Sequence, residues 1–225
     1  MSNTIPITAA TGEDMQALGE RLAKLARGGD VLLLSGPLGA GKTTFALRVA
    51  VELLQPRIVR RIVVVAPTEH LKVQWADAAA KVGIQLDPGT GGRKRGRSRQ
   101  YDGVAVTYAG VAAAMLAYQT MTSNFDTLVI LDEVHHAGDA LSWGDAVDEA
   151  CDPAVRRLLL TGTPFRSDDN PIPFVGYEVG TDGSLTSRAD YTYGYGKALR
   201  AGAVRPVLFM AYSGEMHWRT RAGDE

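Results

Sequence analysis

Three glycines, a lysine and two threonines are closely spaced in the segment Gly36–Thr44, between an apolar run and a helical pattern. Their order matches G-x-x-x-x-G-K-[ST], in which glycines let backbone N–H groups turn toward phosphate oxygens at the positive end of a helix. Lys42, predicted to be an exposed loop lysine, would reach the β- and γ-phosphates, and the Thr43 hydroxyl would hold Mg²⁺. The predicted nucleotide-binding residues are Gly36, Gly39, Ala40, Gly41, Lys42, Thr43 and Thr44.

Two carboxylates, Asp132 and Glu133, directly follow the apolar run 128–131. A carboxylate at the end of a strand is suitably placed to bind Mg²⁺ through water, and its neighbour could polarise an attacking water. We therefore predict Glu133, Lys42 and Asp132 as catalytic residues and Thr43 and Asp132 as metal ligands. The guanine-specific pattern [NT]-K-x-D is absent from the sequence, which favours an adenine nucleotide. The predicted cofactors are ATP and Mg²⁺.

Positive charge is concentrated in one glycine-flanked loop. The chain has 24 Lys and Arg residues against 25 Asp and Glu, for a formal net charge of −1. Five of those basic residues fall between positions 93 and 99. A loop of this kind can bind phosphates, or it can be a solvated surface, and the sequence leaves both interpretations open.

The composition excludes several classes of protein. With 225 residues and 45% hydrophobic residues, the chain is typical of soluble globular proteins rather than disordered ones. A single cysteine excludes an intrachain disulfide and fits a reducing compartment, and Cys151 is predicted to be a small buried side chain. No apolar run approaches the roughly 20 residues of a membrane span, and the start of the chain does not resemble a signal peptide. We expect a cytoplasmic protein with no membrane partner.

Apolar runs rich in β-branched residues alternate with helical patterns, which indicates an α/β fold with a largely parallel sheet. Thr11 and Asp14 are spaced as a capping box before a first helix. Trp75 is predicted to face the core from a helix at about 69–82, and another helix is expected at about 42–54. The predicted strands are 5–7, 31–35, 62–66, 104–107, 128–131, 157–161 and 206–210. One domain over residues 1–225 is the simplest arrangement.

From about Thr44 to Tyr212 the chain resembles the first RecA-like domain of superfamily 2 helicases and translocases of the D-E-x-H type. Four segments match that family in its order along the chain. These are Pro67–Leu71 with Gln74 and Trp75, Val106–Tyr108, the Walker B box Asp132–His135, and Thr161–Pro164. The resemblance implies a three-layer α/β P-loop NTPase (RecA-like) domain that binds and hydrolyses ATP in a DNA or RNA helicase or translocase.

The resemblance also implies roles for polar residues outside the phosphate loop. Small donors at strand ends suit phosphate oxygens and would hold a nucleic-acid strand without reading its bases. The resemblance implies Thr68 and Thr107 as nucleic-acid contacts, and the charge of the basic loop adds Arg93, Lys94 and Arg95 as candidates. The residues predicted to couple hydrolysis to strand movement are His135, Thr161 and Thr163.

The first 45 residues instead resemble TsaE, the small ATPase of bacterial tRNA threonylcarbamoyladenosine biosynthesis. Thr11-Gly-Glu-Asp, Leu18-Gly19 and the run from Gly29 to Thr44 carry this resemblance, which stops soon after Phe45. The chain is therefore interpreted as a TsaE-like front (1–45) joined to a helicase-like body (46–225). A TsaE-type ATPase in tRNA modification, and a non-enzymatic ATP-dependent nucleic-acid-binding module, are the alternative functions.

Superfamily 2 motors enclose ATP between two RecA-like domains, and the second domain supplies an arginine finger. The sequence has no Gln-x-x-Gly-Arg segment of the kind expected in that second domain. The resemblance therefore implies that a second RecA-like domain is absent from these residues and that a further domain or subunit would supply it. We expect slow ATP turnover by this chain alone.

Overall fold

A parallel β-sheet organises the part of the chain that the computed structural model describes, which comprises residues 9, 11–36, 39–89, 101–138, 141–162, 174, 177–179, 185–187 and 191–192. Within these residues seven strands join in one sheet, and every hydrogen-bonded pair of neighbours runs parallel. The strands are β1 (Val31–Ser35), β2 (Arg61–Ala66), β3 (Leu86–Asp87), β4 (Gly103–Thr107), β5 (Thr127–Leu131), β6 (Arg156–Thr161) and β9 (Tyr191–Thr192). Their spatial order is β3-β4-β2-β5-β6-β1-β9. A separate antiparallel pair consists of β7 (Tyr177–Val179) and β8 (Leu185–Ser187).

Helices cover both faces of this sheet. They are α1 (Gly12–Leu25), α2 (Lys42–Leu54), α3 (Glu69–Lys81), α4 (Tyr108–Ala113), α5 (Met115–Asn124) and α6 (Leu141–Cys151), with a 3₁₀ turn at Val134–Gly138. One core cluster joins α1, α2 and α3 to one face of the sheet, and a second joins α4, α5 and α6 to the other. Adjacent residues of β1 point into different clusters, Leu34 into the first and Leu33 into the second. The predicted three-layer α/β arrangement, with a central strand covered on both faces, is confirmed.

The first helix begins as the sequence predicts and packs closely on the second. Thr11 Oγ1 accepts a hydrogen bond from the Asp14 N–H at 3.1 Å, and Asp14 Oδ2 accepts one from the Thr11 N–H at 3.0 Å. This capping box satisfies two N–H groups that the helix itself leaves without partners. Farther along α1, a Cβ added to Gly19 would lie 2.9 Å from the Phe45 carbonyl oxygen of α2. Glycine at this position therefore permits the close approach of the two helices.

Most predicted elements lie within one residue of their observed bounds. α2 and β1 agree with the prediction at both ends, and β2, β4, β5 and β6 each begin one residue earlier. The strands β3, β7 and β8 were not predicted, because segments of two or three residues have no alternating pattern, and the helices α4 and α5 were not predicted either. The strands predicted at 5–7 and 206–210 lie outside the described residues. The assignment of residues 1–225 to one domain stays a prediction.

Cys151 ends α6 inside the second core cluster. Burial raises the pKa of its thiol to about 12, so the thiolate is scarce near neutral pH. The prediction that Cys151 is a small buried side chain is confirmed. In the described part of the chain, no helix is both long enough and apolar enough to cross a membrane.

Candidate functional site: a phosphate loop and an acidic pair at one sheet edge

The parallel strands bring the predicted motifs to one edge of the sheet. Ser35 of β1 is in register with Thr161 of β6, and Leu131 of β5 is in register with Val65 of β2. The phosphate-loop segment follows β1, and the acidic pair follows β5. Both therefore lie beyond the carboxyl ends of the strands, where open α/β sheets bind their ligands.

Glycine geometry shapes the phosphate-loop segment. Gly39 and Gly41 have φ angles of 80° and 78°, in the left-handed region that glycine adopts without strain. Gly41 is the N-cap of α2, and a Cβ there would lie 3.0 Å from Met15 Cγ of α1. A side chain at position 41 would meet both a steric and a conformational barrier. The cradle at the start of α2 therefore requires glycine.

Lys42 lies inside the loop and not on its surface. Its Nζ donates a hydrogen bond to the Gly36 carbonyl at 2.6 Å and lies 3.5 Å from Glu133 Oε1. Only 8% of Lys42 is exposed. The expectation of an exposed loop lysine was wrong, because the side chain folds back across the loop toward an acceptor and a carboxylate.

Asp132 is held at its backbone and at its side chain. Its N–H donates to the Val65 carbonyl at 2.8 Å, and its own carbonyl accepts from the Tyr108 hydroxyl at 2.8 Å. The Trp75 indole N–H donates to Asp132 Oδ2 at 2.7 Å. Burial raises the pKa of the Asp132 carboxyl, and the Trp75 hydrogen bond opposes that rise. Both effects act on the carboxylate that was predicted to bind metal.

Glu133 combines an unusual backbone conformation with a side chain that faces the phosphate loop. Its φ of 46° lies in the left-handed region, which residues other than glycine seldom adopt. Glu133 Oε2 accepts a hydrogen bond from the Gly162 N–H at 2.9 Å, and Oε1 faces Lys42. Strained backbone of this kind is concentrated at functional sites. Glu133 thus bridges the phosphate loop and the end of β6.

Two of the three predicted coupling residues contact each other. His135 Nδ1 and the Thr161 hydroxyl oxygen are 3.0 Å apart, and Thr161 is fully buried. The same His135 nitrogen lies 3.5 Å from Glu133 Oε2. A continuous set of contacts therefore joins Lys42, Glu133, His135 and Thr161. Thr163 lies outside the described residues.

The two predicted threonine contacts to nucleic acid cap helices at the same edge of the sheet. Thr68 Oγ1 accepts from the Leu71 N–H at 3.3 Å, and Thr107 Oγ1 accepts from the Gly110 N–H at 3.1 Å. A hydroxyl that accepts one hydrogen bond can still donate its own hydrogen, so capping is compatible with a phosphate contact. Their nucleic-acid role stays a prediction. Arg93, Lys94 and Arg95 lie outside the described residues.

A cleft of about 440 Å³ unites the loop with the acidic pair. Lys42, Thr43, Asp132 and Glu133 all line it, together with one face of α3. The α3 residues in its wall are Leu71, Gln74, Trp75 and Ala78. Sequence reasoning placed Trp75 in the core and missed its contact with Asp132. The helical spacing of these four residues was the available signal, but it does not distinguish a core face from a cleft wall.

Thr44 lies beside a different groove. It lines a space of about 350 Å³ between α1, α2 and α3, with Gln16, Arg48 and Lys81 among its neighbours. Gly36 contributes to the main site through its carbonyl, which binds Lys42. The predicted nucleotide-binding residues are therefore distributed over two adjoining spaces.

Relatives of this chain are found in mycobacteria. An uncharacterised protein of Mycobacterium tuberculosis is 56% identical over 196 residues, which cover 87% of this chain and 32% of that protein. The chain spans about a third of the length of the curated relatives it matches over most of its residues. A Mycobacterium leprae TsaE, described as a tRNA threonylcarbamoyladenosine biosynthesis protein, is 62% identical over only 39 residues, or 17% of this chain. The resemblance to TsaE is thus real but short.

Solved structures with the same fold include two proteins that were solved with DNA or a DNA mimic. The type ISP restriction-modification enzyme LlaGI, solved with a DNA substrate mimic, has a TM-score of 0.58 at 17% identity over 84% of this chain and 18% of its own. The SWI2/SNF2 ATPase core of Sulfolobus solfataricus, solved with double-stranded DNA, has a TM-score of 0.51 at 19% identity. That match covers 73% of this chain and 35% of the other. At these identities the likeness establishes the fold.

The sequence from residue 11 to residue 166 matches the family described as "Type III restriction enzyme, res subunit". This range contains the phosphate loop, the acidic pair and Thr161. Together with the fold, the match confirms the predicted resemblance to an ATP-binding domain of the superfamily 2 helicase type. The chain belongs to the type III restriction enzyme res subunit family.

Proposed function

We propose that this chain binds Mg·ATP in the cleft between the phosphate loop and α3 and hydrolyses it slowly, as the first RecA-like domain of a motor on DNA or RNA. The arrangement of Lys42, Thr43, Asp132 and Glu133 around one cleft carries this proposal. These residues come from two segments about ninety positions apart in sequence. No simple packing requirement accounts for a lysine, a hydroxyl and two carboxylates lining the same cleft.

The residues of the cleft fit a magnesium-bound triphosphate. The glycine cradle and the N-terminus of α2 offer N–H groups and positive charge to phosphate oxygens. The Thr43 hydroxyl and the Asp132 carboxylate are oxygen ligands of the type that Mg²⁺ prefers, and Mg²⁺ usually completes its shell with phosphates and water. The site therefore needs no further protein ligand.

Each side chain then has a distinct task in phosphoryl transfer. Bound Mg²⁺ would neutralise charge on the phosphate oxygens. Lys42 would exchange its bond to the Gly36 carbonyl for bonds to the β- and γ-phosphates, while Thr43 and Asp132 hold the ion. Glu133 would orient the attacking water and accept its proton. Glu133 also accepts a hydrogen bond from the Gly162 N–H. Loss of the γ-phosphate would therefore alter this contact at the end of β6.

The proposed partner is DNA or RNA, held along the edge that carries Thr68 and Thr107. LlaGI and the SWI2/SNF2 core were solved with DNA, which supports this class of partner. We also propose that a second RecA-like domain or subunit covers the cleft and supplies an arginine finger. Such a finger typically contributes about 10³–10⁵ in rate.

Steady-state phosphate release by the purified 225-residue chain tests the proposed function. We expect Mg-dependent ATP hydrolysis well below about 1 s⁻¹, the low end for complete phosphoryl-transfer enzymes. We expect stimulation by DNA or RNA, and a further increase when a second RecA-like domain is added. Tight ATP binding with no turnover under any of these conditions would instead support the non-enzymatic alternative. Stimulation by TsaE's partner proteins, with indifference to nucleic acid, would support the tRNA-modification alternative.

The basic segment 93–99 provides a second test, directed at the nucleic-acid partner. Neutralising Arg93, Lys94, Arg95, Arg97 and Arg99 together should weaken nucleic-acid binding and flatten its dependence on salt. The log–log slope should fall by about 0.7–0.9 for every phosphate that the segment no longer neutralises, because fewer counterions are released on binding. The measurement is a salt titration of binding by fluorescence anisotropy. Parallel slopes for the wild type and the variant would show that the loop is only a solvated surface.

A further inference from the structure

We infer that Trp75 is a positioning residue for the metal site: its indole N–H holds the Asp132 carboxylate in the orientation that Mg²⁺ requires and thereby connects α3 to that site. The inference rests on the proposed function, because it takes Asp132 as a metal ligand. Its basis is the 2.7 Å hydrogen bond from Trp75 Nε1 to Asp132 Oδ2, between residues 57 positions apart.

Different neighbours hold the backbone and the side chain of Asp132. The bonds with Val65 and Tyr108 hold the Asp132 backbone, whereas the Trp75 bond holds its carboxylate. A carboxylate offers about four acceptor positions on two oxygens, so one N–H leaves capacity for a metal ion or its bound water. Trp75 can therefore restrict the rotation of the carboxylate without blocking its use.

Burial makes this contact stronger than a comparable contact at the surface. Trp75 is 3% exposed and Asp132 is 9% exposed. A hydrogen bond to an ionised acceptor in a low-dielectric setting is among the stronger ones in proteins. Groups that hydrogen-bond a metal ligand typically contribute about 10–100-fold to metal affinity. We expect Trp75 to have an effect in that range.

The same contact connects the metal site to the predicted nucleic-acid edge. Thr68 is the N-cap of α3, and Trp75 lies seven residues later, which places the two about two turns apart on one face. A nucleic-acid strand that shifts the start of α3 would therefore also shift the indole that holds Asp132. Thr68 is thereby connected through α3 and Trp75 to the metal ligand Asp132.

Two substitutions at Trp75 separate its hydrogen bond from its bulk. Trp75→Phe retains an aromatic ring but has no N–H. Trp75→His retains a five-membered ring with a nitrogen in the same ring position as the indole nitrogen, but lacks the second ring. Trp143→Phe is the matched control, because Trp143 packs against the second core cluster on the other face of the sheet.

Isothermal titration of a non-hydrolysable ATP analogue, once with Mg²⁺ and once with EDTA, measures the metal's contribution to binding. For Trp75→Phe we expect unchanged affinity in EDTA and about 10-fold or more weaker affinity with Mg²⁺. For Trp75→His we expect the effect of Mg²⁺ on affinity to lie within about threefold of the wild-type effect, because the imidazole can still donate one hydrogen bond to Asp132. Trp143→Phe should match the wild type in both buffers. Thermal unfolding of every variant shows whether it is folded.

Several outcomes would overturn the inference. If Mg²⁺ changes the affinity for the analogue equally in Trp75→Phe and in the wild type, the indole N–H does not position the Asp132 carboxylate. Equal weakening in both buffers would leave Trp75 only a packing role, as would a folded Trp75→His variant that behaves like Trp75→Phe. A wild-type chain that binds the analogue equally with and without Mg²⁺ would overturn the metal site itself. The first three results leave the proposed function standing, whereas the last contradicts both.

Discussion

Replacing Lys42 with alanine is expected to weaken ATP binding by about 100-fold or more. The lysine is the only cation among the residues lining the described cleft, and charge-assisted bonds to phosphate are among the strongest that a side chain makes. In the structure its Nζ already binds the Gly36 carbonyl and lies beside Glu133. The substitution therefore also removes the ammonium group beside Glu133, which adds electrostatic repulsion toward a bound triphosphate. Isothermal titration with Mg·ATP gives the affinity.

The burial of Lys42 makes two companion variants necessary. Lys42→Met retains most of the apolar stem and should lose nearly as much affinity as Lys42→Ala, because the ammonium group accounts for the effect. Lys24→Ala removes an exposed lysine that pairs with Glu20 on α1, and it should bind ATP like the wild type. Circular dichroism checks that each variant is folded. Wild-type ATP affinity in folded Lys42→Met would contradict the assignment of the site.

Replacing Glu133 with glutamine is expected to lower ATP hydrolysis by about 10²-fold or more at nearly unchanged ATP affinity. Removing a positioned general base costs about 10²–10⁴-fold in rate. Glutamine is close to glutamate in shape and keeps an oxygen that can accept the Gly162 N–H. The substitution thus removes basicity without removing the bridge between the loop and β6. Single-turnover hydrolysis measures the rate of the chemical step, and titration measures the affinity.

Glu149→Gln is the matched control, because Glu149 is an exposed carboxylate on α6, away from the cleft. It should hydrolyse ATP at the wild-type rate. If Glu133→Gln also retains that rate, then Glu133 is not the catalytic base. If instead the ATP affinity of Glu133→Gln falls as much as its hydrolysis rate, the Glu133 carboxylate acts in ATP binding.

The sequence alone was sufficient to predict the elements that carry the site. The segment Gly36–Thr44, its position before α2, and the acidic pair at the end of β5 all rest on local patterns. Apolar periodicity, glycine placement and N-capping each involve only a few neighbouring residues. The local structure that these patterns specify therefore depends little on how the rest of the chain folds. For this reason α2 and β1 agree with the predicted bounds at both ends. The family resemblance likewise rests on short ordered motifs.

The tertiary structure decided which of these residues touch each other. The order of the strands places the end of β5 between those of β6 and β2, and no local pattern specifies that order. The burial of Lys42 depends on side chains that meet across the sheet edge, where its Nζ lies beside the Glu133 carboxylate. The bond from Trp75 to Asp132 joins α3 to the residue that directly follows β5. A tryptophan at helical spacing predicts a buried face, but the partner that its N–H finds is set by how the helices pack on the sheet, and that packing is a property of the whole fold.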